Sequence, residues 1–149
     1  MSLLEKIEQD FQVALKQKNQ AVTSTLRLLK AALTNKEKEG KKLTEEIALA
    51  VLKSQIKQRK DSITEYQKAE RNDLAAKEEE ELKILEDYLP EQLSEERIKE
   101  IIDKVVTQLA EEEQNNFGKV MGAVMKEIAG QAEGSLVTKL VKDKLSAAE

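Results

Sequence analysis

The sequence contains no cysteine, no histidine and no tryptophan, and it has one proline and five glycines. Without cysteine, the chain can form neither a disulfide framework nor a thiolate metal site, and it has no cysteine nucleophile. Without histidine, it lacks the side chain that most often serves as a general base near neutral pH. We therefore expect no catalytic residue, no metal site and no cofactor.

Long apolar runs are also absent. No stretch approaches the roughly 18 apolar residues that a membrane span requires, and the start MSLLEKIEQDF lacks the basic and then apolar segments of a signal peptide. Only 3% of the residues are aromatic, so the chain has no ladder of rings on which a single strand of nucleic acid could stack. We expect a cytoplasmic protein that does not associate with a membrane.

Charged residues are abundant instead. They make up 36% of the 149 residues, while 40% are hydrophobic, which is enough to cover a core. Apolar residues recur at helical spacing along most of the chain, and no segment alternates with a period of two. This pattern predicts an all-α, multihelical fold without a sheet.

The single proline divides the predicted helices into two groups. Pro90 disfavours helix at the residue before it, so we place a boundary there. About four helices precede it and about three follow, which predicts two helical subdomains over residues 1–90 and 91–149. Short polar residues stand before five of the apolar series and mark predicted helix starts: Ser2, Asn19, Thr44, Ser94 and Ser135.

The charges are unevenly distributed along the chain. Residues 1–69 carry a net charge of +5, residues 70–113 carry −10 and residues 114–149 carry +1. The acidic total argues against indiscriminate nucleic-acid binding, and we expect no DNA partner. A local basic face can still steer a polyanion, because salt limits the range of such interactions to about 8–10 Å.

Two charged runs in the first subdomain have simple predicted roles. The segment from Lys53 to Lys60 contains no acid, and we interpret it as a basic strip that includes Arg59. The run from Glu78 to Glu81 is predicted to be a solvated face. Four adjacent positions point in different directions around a helix, so they cannot chelate one ion.

Residues 116–145 contain four of the five glycines and read as a helix, a glycine-bracketed turn and a second helix. Neither a phosphate-binding loop nor a dinucleotide-binding loop fits, because both follow a strand. Gly118 and Gly122 lie one helical turn apart and leave a strip without side chains, for which close helix packing is favoured over ligand contact. Gly130 is predicted to supply the left-handed end of the first helix.

The start of the last helix has the features of an anion site. Backbone N–H groups at a helix N-terminus point outward and favour negative charge. We expect such a site at Gly134, Ser135 and Leu136. Four lysines lie in the flanking helices and are candidates for phosphate contacts: Lys119, Lys126, Lys139 and Lys142.

Three motifs in this order resemble those of stand-alone YqeY proteins: QRKDS at 58–62, YLPEQLSEE at 88–96 and GKVMGA at 118–123. The resemblance covers nearly the whole chain and implies an all-helical fold with a larger N-terminal and a smaller C-terminal subdomain. The family shares its domain with the tail of the B subunit of the glutamine-dependent aspartyl/glutamyl-tRNA amidotransferase. In that enzyme the tail helps to grip tRNA, while the chemistry occurs elsewhere.

The resemblance implies tRNA, or proteins that charge or amidate tRNA, as partners. It also brings a family label of carbon–nitrogen ligase activity with glutamine as the amide donor. We expect no such activity from the isolated chain, because it lacks the amidase subunit and the domain that activates the tRNA-borne carboxylate. The chain also departs from its relatives, which usually have proline at 126 and basic residues near 127, 129 and 131. Here these positions hold Lys126, Glu127, Ala129 and Gln131, which weakens the positive charge.

Together these observations predict a non-catalytic helical module that contacts the tRNA backbone. The predicted RNA-binding residues are Arg59, Lys60, Lys119, Lys126, Lys139 and Lys142. The alternative is a protein-interaction adaptor that docks on a synthetase or amidotransferase through its acidic residues 70–113. The sequence does not predict an oligomeric state, the tRNA or the partner.

Overall fold

A computed structural model describes residues 1–40 and 42–147 of the chain. Within these residues the structure has seven α-helices, one short 3₁₀ turn and no strand, so the all-α prediction is confirmed. None of the described helices combines the length and the apolar character that a membrane crossing requires. The elements are α1 (Leu3–Lys16), α2 (Gln20–Lys38), α3 (Glu45–Lys68), α4 (Asn72–Glu86), α5 (Glu95–Gln108), the 3₁₀ turn (Glu111–Glu113), α6 (Phe117–Ile128) and α7 (Gly134–Ala147).

Most helices begin where short polar side chains precede the apolar series. The side chains of Ser2, Asn19, Thr44, Ser94 and Asn116 each accept a hydrogen bond from the backbone N–H three residues later. Ser2 forms a capping box, because the Glu5 carboxylate in turn accepts from the Ser2 backbone N–H at 3.1 Å. A cap of this kind stabilises a helix by about 1 kcal/mol, so local sequence fixes these boundaries.

The contacts of the chain separate into two units, Met1–Leu89 and Pro90–Glu149. The first contains α1 to α4. Its buried core comes from one apolar stripe of each helix: Ile7, Leu26, Leu29, Leu33, Ala48, Leu52, Ile56 and Leu85. The most extensive helix pair is α3 with α4, and α1 and α2 pack beside it.

The second unit contains α5, α6 and α7, which all pack against one another. Its core is formed by Ala132 of the turn between α6 and α7 and by the residues that helical spacing brings to one face of each helix: Ile98, Ile102, Val105, Val120, Val124, Ile128, Val137, Leu140 and Val141. The backbone N–H of Leu93 also donates to the carbonyl oxygen of Gln131 at 2.8 Å. This bond ties the segment before α5 to the turn between α6 and α7.

The turn between α6 and α7 has the predicted left-handed backbone at Gly130, but the end of α6 and the start of α7 differ from the prediction. Ala129 already adopts the left-handed conformation, with φ 48°, and Gly130 follows with φ 85°. The predicted N-cap at Ser135 is wrong, since α7 begins at Gly134 and the N–H of Val137 bonds to the carbonyl oxygen of Glu133 at 3.1 Å. Ser135 therefore lies within the first turn of the helix, and Glu133 occupies the position before it.

Candidate nucleic-acid interface

Helix α6 presents two lysines on one exposed face. Lys119 and Lys126 are seven residues apart, which is close to two full turns, so they project in nearly the same direction. Among residues 1–40 and 42–147, neither lysine pairs with a carboxylate. Asn116 begins the helix and accepts a hydrogen bond from the Lys119 backbone N–H at 3.1 Å. The two ammonium groups are thus free to contact an anion from solvent.

The glycine strip of α6 lies beside these lysines and is exposed. A methyl group added at Gly122 would meet nothing within 4 Å, and one at Gly118 would meet only the Asn116 Oδ1 atom at 3.4 Å. The prediction that the strip serves close helix packing is therefore wrong, because no neighbouring helix covers it. The bare backbone faces solvent and is open to a ligand.

Helix α7 carries a second exposed pair, Lys139 and Lys142. They are three residues apart and occupy the same face of the helix. The Lys142 Nζ atom lies 5.9 Å from the centroid of the Phe117 ring, which is 38% exposed. This contact brings the middle of α7 to the N-terminus of α6. Phe117 was not among the predicted site residues, although its place at the start of the glycine-rich helix was the available signal.

The predicted anion-binding turn has an acidic neighbour. The N–H groups of Gly134, Ser135 and Leu136 belong to the first turn of α7, where a helix leaves its N–H groups without partners of its own. The exposed Glu133 stands immediately before them. A carboxylate at this position is attracted to the same positive end of the helix as an external anion. The lysines are consequently the stronger part of the site.

Glu127, one of the departures from the family pattern, is directed toward α5. Its carboxylate lies 3.4 Å from the Lys104 Nζ atom. The side chains of Lys104 and Glu127 are 58% and 50% exposed, so the pair contributes little stability. The pairing nevertheless offsets the negative charge that Glu127 adds to α6.

Arg59 has a different environment from these lysines. Its Nη1 atom lies 2.6 Å from Glu81 Oε2 and 3.0 Å from Glu78 Oε2, so one guanidinium joins two carboxylates across α3 and α4. The Arg59 side chain is only 12% exposed, and its Nε atom is buried without a partner among the described residues. The structure thus places Arg59 inside the protein, and the phosphate contact predicted for it would require this cluster to open.

The same cluster corrects two readings of the first subdomain. Glu78 and Glu81 do not belong to a solvated face, because their side chains are 19% and 11% exposed. The basic strip is also not a single face: Arg59 points toward α4, whereas Lys57 and Lys60 are exposed. Lys60 remains at the surface as a candidate contact. In the described part of the chain, no three acidic side chains are arranged to hold a metal ion.

Comparison with known proteins gives consistent matches. A family profile described as Yqey-like protein matches residues 4–145. The chain is 32% identical to altered inheritance of mitochondria protein 41, mitochondrial, of Pyrenophora tritici-repentis, over 97% of this chain and 82% of that protein. Proteins of the same name from Vanderwaltozyma polyspora and Clavispora lusitaniae are 32% and 33% identical, over 89% and 85% of this chain and 70% and 74% of theirs. Because these curated relatives are named as mitochondrial, the expectation of a cytoplasmic protein is contradicted.

Proposed function

Since the chain belongs to the family of Yqey-like proteins, we propose that it binds tRNA through the exposed lysines of α6 and α7, without chemistry of its own. The observation that carries this proposal is the exposed glycine strip beside Lys119 and Lys126, two lysines that have no carboxylate partner in the described residues. Lysine contacts to phosphate position RNA without reading its sequence. The module would hold tRNA while partner proteins carry out aminoacylation or amidation.

The absence of side chains at Gly118 and Gly122 supports a backbone-contacting mode. A sugar-phosphate ribbon could approach the helix closely there, with Lys119 and Lys126 beside it. Lys139 and Lys142 would extend the contact along α7, and Phe117 offers one partly exposed ring next to Lys142. Lys60 is a candidate for a separate contact on the first unit. Arg59 is left out, because its guanidinium is already engaged by Glu78 and Glu81.

The test is a titration of the purified chain with tRNA at several salt concentrations. Each phosphate contact adds about 0.9 to the slope of log affinity against log salt for a duplex. Replacing Lys119 and Lys126 together by alanine should therefore reduce the magnitude of this negative slope by about two. The matched control neutralises Lys77 and Lys83, two exposed lysines of α4, and changes net charge equally.

The control variant should keep the wild-type slope. A wild-type chain that does not bind tRNA, or that binds it without a steep salt dependence, would contradict the proposal. Equal losses in the two variants would show that net charge, rather than the α6 surface, governs binding.

The adaptor alternative can be tested with a more specific variant than one that changes the whole run from Glu78 to Glu81. Glu79 and Glu80 are exposed, whereas Glu78 and Glu81 are engaged with Arg59. Changing Glu79 and Glu80 to glutamine therefore tests docking through this acidic run without disturbing the ion cluster. A protein partner that survives nuclease treatment and is lost in this variant would favour the adaptor over the tRNA-binding module.

A further inference from the structure

Residues 11–36 contain no aspartate or glutamate, although acidic residues are frequent elsewhere in the chain. Five basic side chains lie in this segment: Lys16, Lys18, Arg27, Lys30 and Lys36. The segment forms the second half of α1, the turn after it and nearly all of α2. Exposed helices usually mix charges of both signs, so a segment of 26 residues without an acid favours a negatively charged partner, although Glu5, Glu8, Asp10 and Glu37 lie elsewhere on the same two helices.

Exposed apolar side chains are concentrated in the same hairpin. Apart from Met1, the large hydrophobic residues exposed in the described part of the first unit are Val13, Leu15 and Leu28, with exposures of 45%, 42% and 51%. All three fall within the acid-free segment. Single exposed leucines are ordinary on a protein surface. Here they lie in a segment whose Lys30 and Lys36 pair with Glu8 and Glu39, while its other basic residues make no ion pair within residues 1–40 and 42–147.

Leu15 lines a groove between the two helices. The groove has a volume of about 440 Å³ and is lined by Leu15, Lys18, Gln20, Thr23, Ser24 and Arg27. Leu28 lies one helical turn beyond Ser24 on α2, so a chain that leaves the groove along α2 would reach it. The groove thus offers one apolar side chain, Leu15, together with two cations, Lys18 and Arg27, and three uncharged polar residues.

The two cations of the groove are available for a partner. Within residues 1–40 and 42–147, Lys18 and Arg27 make no ion pair, whereas Lys30 is paired with Glu8 at 2.6 Å. The Arg27 Cζ atom lies 5.9 Å from the centroid of the Phe11 ring, to which the Lys30 Nζ atom is closer, at 4.1 Å. The backbone around Lys18 is held by the turn, in which the Asn19 N–H donates to the Ala14 carbonyl oxygen at 3.0 Å. The backbone that carries Leu15 and Lys18 is therefore fixed by the turn between α1 and α2.

From these observations we propose that the α1–α2 groove docks an acidic segment of a partner protein, with an apolar side chain of that segment against Leu15. Carboxylates of the segment pair with Lys18 and Arg27, and these charges guide its approach. A phosphate ribbon has no need of exposed leucines, and a flat bilayer surface does not fill a groove. This docking is independent of the tRNA contact on α6 and α7, because it uses other residues.

The test uses two synthetic 15-residue peptides and the full-length chain. The first peptide has two leucines four residues apart among glutamates, and the second has serine in place of both leucines. Binding is followed by NMR from the Leu15 and Leu28 methyl groups and the backbone amides of residues 13–28. The leucine peptide should shift these resonances, and the serine peptide should bind about tenfold more weakly or not at all.

Two variants locate the effect. Changing Lys18 and Arg27 together to glutamate should weaken binding of the leucine peptide at least about tenfold. Its matched control changes Lys77 and Lys83 to glutamate, which alters net charge equally on exposed positions of α4 and should leave the affinity unchanged. Leu15→Ser should weaken binding several-fold without unfolding the chain, because this side chain is already 42% exposed.

Several outcomes would overturn the proposal. If the leucine and serine peptides bind with equal affinity, the leucines do not contribute, and binding comes only from attraction to the positive charges of the segment. Shifts of the same resonances on addition of tRNA or of vesicles with anionic lipids, but not of the leucine peptide, would assign the groove to those ligands. Self-association in sedimentation that is lost in Leu15→Ser would assign it to a second copy of this chain.

Discussion

Basic residues have opposite environments in the α3–α4 pair and in the α6–α7 pair. In α3–α4, Arg59 turns inward to two carboxylates, and its side chain is 12% exposed. In α6–α7, four of the five lysines are exposed without a carboxylate partner among the described residues, and the fifth, Lys144, pairs with Asp103 at 2.8 Å. In the first pair, the positive charge of Arg59 is neutralised by two carboxylates of the same unit. In the second pair, the positive charges of the four lysines are exposed to solvent.

The contrast indicates which basic residues are available to a partner: those that have no carboxylate of the same chain beside them in the described residues. Arg59 reaches α4 because α3 and α4 pack along most of their length and place glutamates opposite it. The α6 strip has no such neighbour, since Gly118 and Gly122 face solvent. The comparison can be tested by changing one residue of each region and measuring the stability of the protein and its tRNA affinity separately.

The largest expected effect is on stability and follows from Arg59→Met. Removal of the guanidinium leaves Glu78 and Glu81 close together and largely desolvated, which should lower the free energy of unfolding by about 3 kcal/mol. Denaturant unfolding measures this loss. The matched control is Lys57→Met, an exposed position of the same helix, which should change stability by less than about 0.5 kcal/mol.

A companion triple variant separates charge from packing. Adding Glu78→Gln and Glu81→Gln to Arg59→Met removes the repulsion between the carboxylates and should recover part of the lost stability. tRNA affinity should be unchanged in all of these variants at temperatures where they remain folded. A loss of tRNA affinity in Arg59→Met without a loss of stability would show that Arg59 contacts RNA. It would contradict the distinction between a buried Arg59 and the exposed lysines of α6 and α7.

The two regions also show which features could be predicted from the sequence alone and which could not. Helix existence and most N-termini followed from apolar spacing and from side chains such as Ser2, Thr44 and Ser94, because caps act over three residues of chain. The Arg59 cluster joins residues 19 and 22 positions apart on different helices, and no local pattern encodes that pairing. The exposure of Gly122 is likewise tertiary, since glycines one turn apart fit both close packing and an open strip.

The turn after α6 was predicted correctly at Gly130, which has φ 85°, but not at the residue before it. Glycine is the usual residue in the left-handed region, so Gly130 was the natural choice for the helix end. Ala129 adopts that conformation first, with φ 48°. Tertiary contacts override local preference here, because Ile128 and Ala132 on either side are both buried in the core of the second unit.

A smaller effect is expected from Tyr88→Phe in the first unit. The Tyr88 hydroxyl donates to Asp10 Oδ2 at 2.6 Å. Burial raises the pKa of Tyr88 above its usual value of about 10, and the hydrogen bond to Asp10 and the nearby charge of Asp87 act in the same direction. Loss of this hydrogen bond should destabilise the protein by about 1 kcal/mol at pH 8.

The pH dependence of this variant has a definite sign. The raised pKa means that the stability contributed by Tyr88 is fully present below about pH 10 and is lost as the pH rises further, since the unfolded chain releases the phenol proton first. Phenylalanine has no proton to release. The stability difference between wild type and Tyr88→Phe, measured by denaturant unfolding at pH 8 and pH 11, should therefore narrow at the higher pH. A constant difference would contradict the role assigned to Tyr88 ionisation.

The smallest expected change in stability is a gain, in Gly122→Ala. The added methyl group meets nothing within 4 Å, and alanine is favoured over glycine inside a helix. The free energy of unfolding should rise by about 0.5–1 kcal/mol in denaturant unfolding. A loss of stability would show that a neighbouring group packs against the strip. It would contradict the claim that the α6 surface is open, in contrast to the enclosed Arg59 cluster of α3–α4.

The binding readout of Gly122→Ala decides what the strip is for. If tRNA phosphates approach the bare backbone beside Lys119 and Lys126, the methyl group obstructs them, and affinity should fall although the protein is more stable. Ala129→Gly is the matched control: it should also stabilise the chain, by about 1 kcal/mol, because glycine tolerates the left-handed conformation that Ala129 adopts. It adds no bulk to the strip, so its tRNA affinity should equal that of the wild type. Equal affinities in both variants would confine the RNA contact to the lysines and leave the glycines without a role in binding.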